Sequence, residues 1–282
     1  MTAKAKQLSA EQCHIITTKQ DGVTTLTMNR SSRLNAWTLE MMDALKEGFK
    51  EAARNEDTKV LVLTGVDPYY CAGVNLVAIF RFAHPRKLQA MIKEHNKALF
   101  DTFLDFPKPL LVAVNGPAIG ASVTSATLGD AIIASDKATF STPFAALGVT
   151  PEGCSSVHFS RLMGKANAGR MLGEEGWKPT AKEALKAGLI QWVAPHDKLN
   201  QEIHRIAQQW IASGAVRSFR ATSERDELKA INAQESEILA KTFFAEPFIK
   251  AQLSFLWRKK KLRLTAMFLL LLVTRPLWSR LL

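Results

Sequence analysis

The chain has 282 residues, enough for one large or two modest domains with a sizeable core. Hydrophobic residues make up 47% and charged residues 22%, a balance that excludes disordered, collagen and coiled-coil compositions. The net charge of +11 invites a polyanion partner. However, seven bases and no acid lie from Arg258 onward, while residues 1–257 carry 30 bases against 26 acids. No nucleic-acid partner is therefore expected for the body.

His14–Gln20 and Val23–Asn29 read as two strands around the hairpin signal Asp21-Gly22. Thr38 is a candidate N-cap for a helix running to about Asn55, with Leu39, Met42, Leu45 and Phe49 on one face. Lys59–Gly65 reads as a buried strand leading into the loop Asp67–Gly73. A helix over Lys87–Phe103 follows, then a strand at Leu110–Asn115, a turn at Gly116–Gly120 and a small-residue helix at Ala121–Leu128. Ala131–Ala134 and Thr139–Ser141 are short strand candidates. Thr150-Pro151-Glu152 reads as N-cap, N1 and N2 of a helix. Helical segments are expected at Ser155–Met163, Lys165–Leu172, Ala181–Ala187, Leu199–Ile211 and Ser223–Leu256. Strands alternating with helices and then helices alone predict an α/β core followed by an α-helical region.

The polar stretch Met1–Gln12 has no apolar signal core. Cys13, Cys71 and Cys154 are too few and too scattered for a disulfide framework, and a reducing compartment is the default. The six histidines form no ligand pair, so no metal is expected. At the C-terminus, Leu264–Thr274 is uncharged but shorter than the roughly 20 apolar residues a bilayer span needs. A helix packed on the body or a neighbouring subunit is the expected reading. A membrane-surface anchor with a basic collar is the alternative.

Three segments present backbone or a carboxylate at a turn: 70–76, 114–121 and 148–154. Free N–H groups at a helix start can hold a developing oxyanion. On pattern alone, Glu152 is better explained as a first-turn helix acid favoured by the dipole. The motifs Asn35-Ala36, Cys71-Ala72-Gly73-Val74-Asn75-Leu76, Asn115-Gly116-Pro117-Ala118-Ile119-Gly120 and Thr142-Pro143-Phe144 recur in order. With Pro151-Glu152-Gly153-Cys154, they make the chain resemble the crotonase superfamily, the enoyl-CoA hydratases and isomerases, from about Ile15 to Leu262. Within it, the chain looks most like the Δ3,Δ2-enoyl-CoA isomerases.

The resemblance implies a spiral of ββα units with a C-terminal α-helical trimerisation region. The implied divisions are a core over 1–205, a helical region over 206–262 and a tail over 263–282. It places the oxyanion N–H groups at Val74 and Ala121 and the base at Glu152. The acyl-CoA contacts fall at Arg33, Ala72, Gly73, Val74, Asn75, Leu76, Gly120 and Phe144. The two glutamates with which hydratases activate water would fall at Thr124 and Phe144. Their absence argues for isomerisation over hydration and leaves as alternatives another crotonase-family acyl-CoA enzyme, a hydratase or unusual dehydratase of secondary metabolism, and behind it an RNA-binding or non-catalytic family member. No cofactor is implied, because CoA is the carrier part of the substrate. A homotrimer or hexamer is implied. So is a peroxisomal address, with mitochondrion or cytoplasm as alternatives. Lys260-Lys261-Leu262 approximates a peroxisomal S-K-L-type terminus, yet twenty residues follow it, and Arg280-Leu281-Leu282 is a poor signal.

Overall fold

The computed structural model describes residues 13–75 and 84–282. The Met1–Gln12 stretch and Leu76 lie outside the described residues. Asp21 and Gly22 both adopt left-handed backbone, with φ of 48° and 79°, as a tight two-residue hairpin requires. They join β1 (Ile15–Gln20) to β2 (Val23–Met28) in antiparallel pairing. From β2 on the main sheet is parallel, in the order β1-β2-β3-β4-β6-β8. Its other members are β3 (Val60–Gly65), β4 (Leu110–Val114), β6 (Ala131–Ser135) and β8 (Trp192–Ala194).

A parallel sheet must be covered on both faces, and the period-2 alternation of these apolar strands supplies both cores. Leu61, Leu63, Val112, Val114 and Ile132 point into the main core. Val60, Val62, Leu111, Ala113 and Ile133 point the other way, where α7 (Leu199–Ala212) covers them with Leu199, Ile203 and Ile206.

A second wall borders the main core. Trp37 bridges to Val74, Cys71 bridges to Ala118, and β5 (Ala118–Ile119) pairs in parallel with β7 (Phe140–Ser141). These are the second extended segments of successive ββα turns, so the turns stack as a spiral. The expected turn at Gly116–Gly120 therefore contains a strand: the Ala118 and Ile119 N–H groups donate to the Thr139 and Cys71 carbonyls, which capture the chain.

Helix α1 (Leu39–Arg54) starts where predicted. The Thr38 hydroxyl accepts from the Met41 N–H, and Met42, Leu45 and Phe49 are buried. Helices α2 (Pro85–Leu104) and α3 (Ala121–Ala126) follow, every residue of α3 being buried. The short α4 (Phe144–Leu147) was not anticipated. Helix α5 (Ser155–Leu172) breaks at Gly164, where φ is 78° and ψ 156°, matching the two expected segments. Helix α6 (Ala181–Ala187) opens on a capping box of Thr180 and Glu183.

Two expectations are corrected. Thr150-Pro151-Glu152 is not a helix start. Gly153 and Cys154 are both left-handed and α5 begins only at Ser155, which leaves Glu152 in the preceding loop. The single helix expected over Ser223–Leu256 is two, α8 (Arg225–Thr242) and α9 (Glu246–Arg258). Pro247, which has no N–H and clashes with a preceding turn, fits only the first turn of a new helix.

The tail forms α10 (Leu262–Val273) and α11 (Arg275–Trp278). Phe268 packs edge-on to Phe248 at 6.3 Å, and Trp278 meets Phe244 at 6.2 Å. Leu269, Leu270 and Val273 remain exposed, so the tail is packed on one side only. No single described helix is long and apolar enough to cross a membrane. The pair Leu262–Val273 and Arg275–Leu281 reaches that length and composition only together, across a 56° bend.

Candidate active site

The two walls of the spiral meet at one cavity. It is lined by Ala72, Gly73 and Val74 from the loop after β3, and by Ile119, Gly120 and Ala121 where β5 runs into α3. Pro143, Phe144, Glu152 and side chains of α1, α2 and α8 complete it. Sequence motifs about 45 residues apart thus share one surface.

Hydrogen bonding explains why two amides are free there. The Trp37 N–H donates to the Gly73 carbonyl, and the Asn75 N–H donates to the Trp37 carbonyl. A parallel bridge uses the neighbours of the bridged residue, so among the described residues the Val74 N–H has no acceptor. Ala121 is the first residue of α3, where an N–H has no intrahelical acceptor. Ser122 ties the two segments together, its hydroxyl donating toward the Cys71 and Ile119 carbonyls and accepting from the Ile119 N–H. Close approach also needs Gly73. Its φ is 82°, and a Cβ there would lie 2.6 Å from the Ile119 carbonyl oxygen.

Glu152 is buried, and among the described residues its carboxylate accepts no hydrogen bond. Burial first, and the nearby Glu235 charge second, push its carboxyl up to about 8. Among the described residues it is the sole acid of the cavity lining, which is otherwise mostly apolar, with Met91, Leu99, Leu239 and Phe243 on one side. His95 and Asn96 are its other polar members. His95 Nδ1 lies 2.8 Å from the Met91 carbonyl, and Asn96 donates to Ser236 Oγ at 3.1 Å.

The structure gathers Ala72, Gly73, Val74, Gly120, Ala121, Phe144 and Glu152 in this cavity. It does not bring Arg33 or Asn75 into the lining. Arg33 ends an exposed 3-10 turn, and Asn75 is exposed beside the Trp37 bridge. Leu76 is outside the described residues. Thr124 is buried away from the lining, donating to the Ala121 carbonyl at 3.2 Å, and Phe144 is buried at its edge. Cys154 is a buried, inert thiol raised by burial, its Sγ donating to the Leu228 carbonyl.

Sequence reasoning missed Glu235. Asn232, Glu235 and Ser236 share the buried face of α8 with Leu228 and Leu239. Polar residues at i, i+3 and i+4 on an apolar stripe were the available signal.

A spiral of ββα turns whose loops bring two backbone amides and a buried carboxylate to one cavity is the crotonase fold. The enoyl-CoA hydratase/isomerase family model matches residues 18–262. "Enoyl-CoA delta isomerase 2" of Rattus norvegicus is 39% identical over 88% of this chain and 64% of its own length. "Enoyl-CoA delta isomerase 3, peroxisomal" of Mus musculus is 34% identical over 92% of this chain and 83% of its own. A solved enoyl-CoA hydratase/isomerase of Pseudoalteromonas atlantica superposes with a TM-score of 0.73 at 25% identity, covering 87% of this chain and 97% of that one. The chain belongs to the enoyl-CoA hydratase/isomerase family of the crotonase superfamily. It spans 64% of the length of the rat isomerase it matches.

Proposed function

We propose that the protein is a Δ3,Δ2-enoyl-CoA isomerase. One observation carries this reading: the Val74 and Ala121 amides share an apolar cavity with a single carboxylate, Glu152. The thioester oxygen takes both N–H donors, which stabilise the enolate formed when Glu152 removes a proton from C2. Such a donor is typically worth about 10²–10³ in rate. Glu152 then returns the proton at C4, and the double bond moves from C3 to C2. A carboxyl raised to about 8 holds a proton between the two transfers better than an ordinary glutamate would. Adding water needs a second carboxylate to orient it, and the described residues of the lining supply none. Met91, Leu99, Leu239 and Phe243 receive the acyl chain, while Ala72, Gly120 and Phe144 frame the thioester. Arg33 and Asn75 serve the CoA portion outside the cavity.

The expected boundary at 205/206 falls inside α7, whose Ile206 still packs on the sheet, so the functional division is a core through α7, a helical region from there to 262 that supplies trimer or hexamer contacts, and a tail over 263–282. The compartment is the peroxisome, as in the name of the mouse relative. Purified protein incubated with 3-enoyl-CoA should yield the 2-enoyl ester without added cofactor, and Glu152→Gln should abolish this while CoA-ester binding persists. Full activity in that variant, or hydration of crotonyl-CoA at a comparable rate, overturns the reading.

A further inference from the structure

Glu235 is 5% exposed, yet it belongs to α8, more than eighty residues along the chain from Glu152. One of its carboxylate oxygens accepts the Cys154 N–H at 2.7 Å. The other accepts both the N–H and the hydroxyl of Ser156. These donors form the turn directly after Glu152. The turn is unusual because Gly153 and Cys154 are left-handed in succession, with φ of 64° and 66°. A non-glycine residue there costs about 1 kcal/mol or more and persists only when its surroundings hold it. Gly153 admits no side chain, since an added Cβ would lie 2.3 Å from the Phe100 ring and 2.7 Å from Thr124 Oγ1.

We propose that Glu235 is a positioning residue for the Glu152 base: it clamps the Cys154–Ser156 turn and sets a second buried carboxylate behind the first. This rests on the isomerase reading of Glu152.

The clamp is itself held. Asn232, one turn before Glu235, donates to the Lys97 carbonyl and to Asp101 on α2, and Asn96 of α2 donates to Ser236. Lys97 pairs with Asp101, which neutralises that charge. The titratable groups facing Glu152 are therefore Glu235 from α8, His95 from α2 and the neighbouring Cys154. Among these, Glu235 is the one whose charge raises Glu152. Burial raises Glu235 as well, while its bonds from Ser156 and Cys154 favour its charged form. A carboxylate suits the position because every partner is a donor. An amide would turn its NH₂ toward one of them.

The test uses full-length wild type, Glu235→Gln, Ser156→Ala and Glu152→Gln. Infrared difference titration without substrate follows the carboxyl band that disappears in Glu152→Gln. In Glu235→Gln this band should titrate at lower pH. The acid limb of kcat/KM should move the same way, and kcat should fall on the order of 10²-fold as the base is misplaced, with less change in KM. Ser156→Ala, an exposed position, weakens one support of the Glu235 charge and should give a smaller shift of the same sign even if Glu235→Gln does not fold. A purely structural role would lower the melting midpoint and leave the titration where it was. A folded Glu235→Gln, or failing that Ser156→Ala, with the wild-type titration overturns the proposal. A shifted band in a protein that turns over no 3-enoyl-CoA overturns the isomerase reading alone.

Discussion

Glu152 owes its chemistry to its surroundings: an apolar lining, no hydrogen-bond donor and a second carboxylate nearby. With its carboxyl raised to about 8, the base form is scarce in acid and grows through that pH. The kcat/KM for a 3-enoyl-CoA should accordingly rise with pH and level off above about 8; a limb in the ordinary glutamate range would show that water reaches the carboxylate. The same shift acts on stability. The folded state holds the proton more tightly than the unfolded chain, so the stabilisation is complete below the ordinary glutamate value of 4.5 and is lost as pH climbs through about 8. Glu152→Gln should flatten that decline in urea melts and be the more stable protein at pH 8, by at most about 5 kcal/mol. Gly73 is the second demanding residue. Gly73→Ala puts a Cβ against the Ile119 carbonyl at a left-handed φ. It should cost roughly 2–3 kcal/mol in denaturant melts and separate the two amides, lowering kcat.

Among the elements, those with a local cause were readable. The Asp21-Gly22 hairpin, the Thr38 cap and the glycine break in α5 each follow from a few adjacent residues. The elements that were missed depend on distant partners. β5 exists because Cys71 and Thr139 accept its N–H groups, and β8 because it completes the sheet beside β6. The candidate site divides the same way: its glycine-bounded motifs are visible in the chain, whereas Glu235 gains meaning only when α8 folds back on Cys154. Another such contact joins elements through charge. Arg217, which follows α7, pairs with Asp130 at 2.8 Å with both side chains buried, and also donates to the Phe103, Phe106 and Leu128 carbonyls. Arg217→Ala takes away the cation paired with Asp130 and the donor to three carbonyls, while the Leu110 and Ser218 N–H groups still bond the Asp130 carboxylate, so a loss of about 3 kcal/mol is expected in chemical denaturation. A loss below about 1 kcal/mol would mean that water replaces the guanidinium.

At the scale of the whole molecule, the charge that opened the question is peripheral, and the tail bearing part of it still reaches the site through packing. Phe268 and Trp278 close a third core around Phe243, Phe244, Phe248 and Ile249. That core holds α9 and the end of α8, and α8 brings Leu239 and Phe243 into the cavity and Glu235 onto the Cys154 turn. Truncation after Leu262 removes only three of the bases, Arg263, Arg275 and Arg280, but uncovers this aromatic cluster. A buried Phe lost to Ala typically costs about 3–5 kcal/mol, and the truncation removes more than one aromatic contact. The truncated protein should therefore melt lower and lose isomerase activity on warming before the main sheet unfolds. Hydrogen exchange should locate the early opening in α8 and α9. Phe268→Ala should show the same order of events in milder form. Replacing Arg263, Arg275 and Arg280 with glutamine should leave melting and turnover nearly unchanged, because the tail acts on the site through its packed face and not through its charge.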